Sequence, residues 1–90
     1  MVSAVEFEAM KKTLATAIDR ARSLDEIEAW LKSQPCIKSV QLQDYLLKSS
    51  PPQRDFAIEC RMQNGSTARK IINIFEMGNG RFQFNKFRDQ

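Results

Sequence analysis

The segment 54–87, RDFAIECRMQNGSTARKIINIFEMGNGRFQFNKF, decides the fold of this 90-residue chain. Phe56, Ile58, Cys60 and Met62 alternate with Asp55, Ala57, Glu59 and Arg61. Such alternation marks a β-strand with one buried and one wet face, because successive side chains point to opposite sides of a sheet. Asn64, Gly65 and Ser66 read as a turn, Thr67 to Met77 as the next strand, and Gly78, Asn79 and Gly80 as a second turn into a strand from Arg81 to Phe87. Gly and Asn supply the left-handed backbone that tight hairpin turns require. An antiparallel meander follows.

Upstream of it, Ile37, Val40, Leu42, Tyr45 and Leu47 suggest a further strand within 37–48. These residues do not keep one parity, so the strand either bulges near Asp44 or runs only from Lys38 to Leu47. Ser49, Ser50, Pro51 and Pro52 form a loop, since consecutive residues without an amide proton cannot sit in a central strand. The N-terminal third has helical period. Ser3 with Glu6 has the spacing of a capping box, and Phe7, Met10, Leu14, Ile18 and Ala21 then recur every three or four residues along one stripe. Ser23 with Glu26 repeats the box, so the chain breaks there and enters a second helix with Ile27, Trp30 and Leu31 on its apolar face. Pro35 stops that helix and biases Gln34 towards extended backbone.

The order of helix, helix and four strands defines an α+β domain over residues 1–90, with a long N-terminal helix and a short second helix on one face of a four-stranded antiparallel meander. This arrangement resembles the cystatin-like architecture, in which a helix lies across a curved antiparallel sheet. The resemblance is architectural and implies no activity. A twisted sheet of four strands offers more inner surface than one helix covers, so Ile27, Trp30 and Leu31 are expected to close the remainder, with Trp30 mostly buried.

Ninety residues suit one domain, and 42% hydrophobic with 28% charged residues is an ordinary globular composition. The opening Met-Val-Ser-Ala-Val-Glu has neither a basic region nor a long apolar run, so no signal peptide or membrane anchor is expected there. Cys36 and Cys60 show no metal-ligand spacing and no CxxC motif, and read as reduced core thiols. A cytoplasmic, reducing setting is the corresponding expectation. Net charge is +3, unevenly spread: residues 1–34 hold five basic and six acidic side chains, residues 35–90 nine and five.

The chain has no histidine, and no nucleophile motif, phosphate loop or metal-ligand cluster stands out, so no cofactor, no metal and no enzymatic activity are expected. Cys36 follows a helix C-terminus, where the dipole disfavours a thiolate. Three binding readings remain. A three-residue loop at 64–66 sets Phe56 opposite Ile74 and Ile58 opposite Ile72; the same treatment of 78–80 sets Ile74 opposite Phe84 and Ile72 opposite Lys86. Ile71, Phe75, Met77 and Phe87 then share the outer face, an apolar patch suited to a protein partner or a second copy of the chain. The alternative is a nucleic-acid accessory factor, with Lys70, Arg81, Lys86 and Arg88 contacting phosphates beside the Phe-rich last strand. The third is a small-ligand carrier with its cleft between helices and sheet.

Overall fold

The computed structural model describes residues 4–43, 50–62 and 64–89, with backbone alone at 4–8. Two helices, α1 (Ala4–Arg20) and α2 (Leu24–Lys32), precede four strands, β1 (Ile37–Leu42), β2 (Gln53–Arg61), β3 (Thr67–Glu76) and β4 (Phe82–Asp89). The strands form one antiparallel sheet in sequential order, so β1 and β4 are its edges. The helices cover one face, α1 over β4 and α2 over β1. The α+β architecture is the one the periodicities predict. Ser3, with the first capping box, and Asp44, Tyr45 and Leu47 lie outside the described residues.

Met10, Leu14, Ile18 and Ala21 of the helical stripe are buried, and α1 ends where the stripe does. At the second box Ser23 Oγ accepts from the Glu26 amide at 3.2 Å, whereas Glu26 Oε2 accepts from the Arg22 amide at 2.6 Å instead of that of Ser23. Orphan amides of the helix start are satisfied at this corner. Beyond α2, Ile37 N donates to Gln34 O at 3.1 Å, so Gln34 opens a tight turn with Pro35 at its second position.

Three register details differ from expectation, each for a local reason. In the first hairpin Met62 and Ser66 close the loop, and Phe56 faces Ile72 while Ile58 faces Lys70. Gly65 has φ +86°, so the glycine occupies the last, left-handed position of a three-residue loop rather than the middle. The resulting offset is even, and no residue changes face. In the second hairpin Gly80, with φ +70°, holds that last position, and Ile74 faces Phe84 as expected.

Next, the β3–β4 register slips between Asn73 and Ile74, so that β4 carries one extra residue and Phe87, not Lys86, stands opposite Ile72. Phe87 therefore joins the inner face: it packs against the core, its ring centroid lies 5.2 Å from that of Phe84, and Lys11 Nζ of α1 sits 5.1 Å from its centroid. Its placement on the outer face is corrected. Finally, the irregularity in β1 lies between Ile37 and Ser39, where Lys38 is the additional residue, and it brings Ile37, Val40 and Leu42 together on the inner face.

The core joins Leu14, Ile18, Ile27 and Leu31 of the helices to Phe56, Ile58, Cys60, Ile72 and Ile74 of the sheet. These residues fill the space between the layers, where the ligand-carrier reading put its cleft. Cys36 and Cys60 are buried free thiols, with Cys36 Sγ 3.4 Å from Met10 Sδ. Burial first, and the neighbouring Cys36 second, push the Cys60 thiol up to about 12.

Deletion of Lys86 removes the additional residue of the bulge, so a regular β4 still sets Phe87 opposite Ile72 on the inner face and Arg88 on the outer one. Burying a Phe is worth about 1.5–3 kcal/mol, so urea denaturation is expected to show a loss of at least ~1.5 kcal/mol for Phe87→Ala, which removes the inward ring, against ~0.5 or less for Lys86→Ala. A disulfide-exchange reagent at pH 8 is expected to label neither thiol of the native chain within minutes and both after unfolding.

Candidate interaction surface

The outer sheet face is organised by a polar network. Asp55 of β2 and Asn73 of β3 pair directly across the sheet, and both are 0% exposed. Asn73 Nδ2 donates to Asp55 Oδ1 at 2.6 Å, and Asn85 Nδ2, from the β4 bulge, donates to Asn73 Oδ1 at 2.8 Å. The Arg88 guanidinium reaches across β3 to Asp55 Oδ2. Buried polar groups are tolerated when hydrogen-bonded, and this chain of bonds links three strands. Arg88 also stands opposite Ile71, which is 7% exposed although it lies on the outer face.

The expected apolar patch is not assembled. Ile71 is buried, Phe75 is partly buried opposite Gln53 and Gln83, and Phe87 is on the other face. Met77, 37% exposed, is the one large hydrophobic residue exposed among the described residues, and it lies at the end of the sheet beside Pro52, Arg81 and Phe82. The cations proposed for phosphates are dispersed as well. Lys70 shares the core-side parity of β3 and pairs with Asp89, Arg88 pairs with Asp55, and Lys86 is exposed opposite Asn73. Arg81 lies opposite Met77 at the far end of the hairpin, seven residues or ~24 Å from Lys70 along β3. Phe82, Phe84 and Phe87 face the helices and offer no stacking surface on the outer side.

Elsewhere on that face Ser39 Oγ donates to Glu59 Oε1 at 2.6 Å, and Arg69 Nε lies 3.5 Å from Glu59 Oε2. The Ser39 bond first, then Arg69 and Lys38, lower the Glu59 carboxyl; Lys70 lowers that of Asp89. A depressed folded-state value means that whatever stability these exposed groups add is present above the ordinary carboxylate range and lost as pH falls through the lowered value.

A different surface emerges between the helices. Two closely packed helices lie about 8–10 Å apart. Here α1 rests on β4 and α2 on β1, the two edges of the sheet, separated by three strand spacings or ~14 Å. The helices touch each other sparingly and leave a groove of about 560 Å³ between their flanks. Thr13, Thr16, Ala17 and Ala21 give it a floor of small side chains, Trp30 and Glu26 form the α2 wall, and Lys12 and Arg20 stand on the α1 side.

Trp30 is mostly but not wholly buried, whereas Ile27 and Leu31 beside it are fully buried. This agrees with the expectation of a mostly buried Trp30: the indole packs against the core and presents its remainder to the groove. Among the described residues nothing accepts a hydrogen bond from its N–H, and no carboxylate pairs with Lys12 or Arg20. Lys32, Arg54, Arg69, Lys70 and Arg88 have carboxylate partners, while Arg22, Lys38, Arg61, Arg81 and Lys86, like Lys12 and Arg20, have none among the described residues; Lys12 and Arg20 are the two that line the groove. Glu26 is engaged by the Arg22 amide. The sequence signal for this site was Trp30 itself, which helical spacing assigned to the core.

Comparison with protein-family models, with curated proteins and with solved structures finds no match to the chain. Among the described residues no helix is long and apolar enough to cross a membrane.

Asp55→Ala is expected to leave the buried Asn73 amide without its acceptor and to lower the unfolding free energy by about 1–3 kcal/mol, the cost of such an orphaned group. Gln83→Ala, exposed on the same face, is expected to stay within ~0.5 kcal/mol in the same urea titration.

Proposed function

We propose that this chain is a small non-enzymatic protein-interaction module or accessory subunit, and that it engages its partner through the groove between α1 and α2. One observation carries the reading: Trp30 stands partly exposed between two helices held apart by the sheet, with Lys12 and Arg20 facing the same hollow and free of described ion pairs. Trp and Arg are the side chains most enriched among the few that dominate binding energies, and a mostly buried indole is rigid on one side and available on the other. The reading moves the interface from the outer sheet face to the helical layer. The cytoplasm is the proposed setting, since a reducing compartment keeps the two buried thiols free.

Site-specific photo-crosslinking tests this location. A benzophenone amino acid at Thr16, in the groove, is expected to give one adduct of defined mass in cells, abolished by Trp30→Ala, while the same group at Gln83 gives none. Trp30→Ala is expected to cost about 2–4 kcal/mol in stability, since most but not all of the indole is withdrawn from water, and to leave the circular dichroism of the native chain unchanged. An adduct from Gln83 with the mass of two chains would return the interface to the outer sheet face as a homodimer.

A further inference from the structure

We infer that the occupant of the α1–α2 groove is an amphipathic helix of a protein partner, carrying acidic side chains two turns apart. This inference rests on the groove being the partner site. It adds the partner's chemistry.

The floor argues for a helix. Thr13, Thr16, Ala17 and Ala21 project little, so a third helix laid along them can approach α1 at the separation of packed helices, whereas larger side chains would hold it off. Grooves between helices accept amphipathic helices through apolar residues at helical spacing, and Trp30 supplies the apolar wall such residues need. From Lys12 to Ala21 the floor runs nine residues of chain, most of it helical, or about 13 Å, enough for two to three turns of a partner.

Charge specifies the rest. Lys12 and Arg20 are eight residues apart on α1, which sets their Cα atoms about 12 Å apart along the axis. Carboxylates separated by seven residues on a partner helix stand about 10.5 Å apart, within the reach of two long cationic side chains that have no carboxylate partner among the described residues. The groove's own carboxylate, Glu26, is held at the Arg22 amide, on the α2 side. An acidic helix thus meets both cations, while a basic helix would leave them opposed by like charge.

The chain contains a single tryptophan, so Trp30 reports occupancy directly. The probe is an 18-residue helical peptide without aromatic residues, bearing a Leu stripe and two Glu seven residues apart; its control has Lys at those two positions. The Glu peptide is expected to shift Trp30 emission saturably, with affinity falling at higher salt. The double variant Lys12→Glu/Arg20→Glu is expected to bind it at least tenfold more weakly and to prefer the Lys peptide. Equal binding of both peptides to the unaltered chain would overturn the acidic specification and leave the groove standing if the Thr16 crosslink persists. Absence of any emission change at millimolar peptide would overturn the helix itself, and loss of the Thr16 crosslink as well would remove the groove as the partner site.

Discussion

A β-strand gives each face every second residue, and the structure depends on how the two edge strands escape that rule. Ile37 and Val40 in β1, and Phe84 and Phe87 in β4, are apolar pairs three residues apart. In an unbroken strand one member of each pair would face water. One additional residue in each edge strand restores the parity, at Lys38 in β1 and at the Asn85–Lys86 step in β4, and all four hydrophobic residues reach the inner face. The core that the two helices cover is complete only because of these slips. The same residues protect the edges: a bulge bearing a lysine twists and charges the free rim of a sheet, which opposes pairing with another strand.

The outer face answers a related constraint. With the apolar residues of β4 drawn inward, little remains outside to bury Ile71, and the stem of Arg88 lies opposite it. The head of Arg88 is then fixed on Asp55, a carboxylate at 0% exposure that also accepts from Asn73. A bond set running from β2 through β3 to β4 favours one register, because a shift by two residues would leave a buried carboxylate and a buried amide misaligned. Its net contribution is modest, since half of the ion pair, Arg88, remains 42% exposed on its side chain.

Much of this was legible in the residues. Alternation in β2, the helical stripe of α1, the box at Ser23 and the placing of Ile74 opposite Phe84 followed from periodicity and turn chemistry alone. Phe87 did not, because a one-residue slip has no signature except the broken parity of Phe84 and Phe87, and continuing the alternation through Asn85 and Lys86 sent the ring to the wrong side. Alternation likewise puts Asp55 on the wet face of its strand: its burial comes from Asn73 and Arg88, which are 18 and 33 residues away. Trp30 has the spacing of a core residue, and nothing in that spacing tells how far apart the two helices stand.

That separation is set by the sheet. Each helix follows the apolar rows nearest to it, and those rows lie on opposite edge strands because the bulges carry Ile37 and Phe87 into the inner face at the two rims. Were the edge strands regular, their inner faces would be poorer and both helices would gain by moving over the central strands, closing on one another at 8–10 Å. Holding them at the rims leaves the groove between their flanks, and the largest side chain in the chain, Trp30, packs against the core and lines that groove. The partly exposed indole is therefore a consequence of two inserted residues on distant edge strands, and the proposed site is joined to the fold through them.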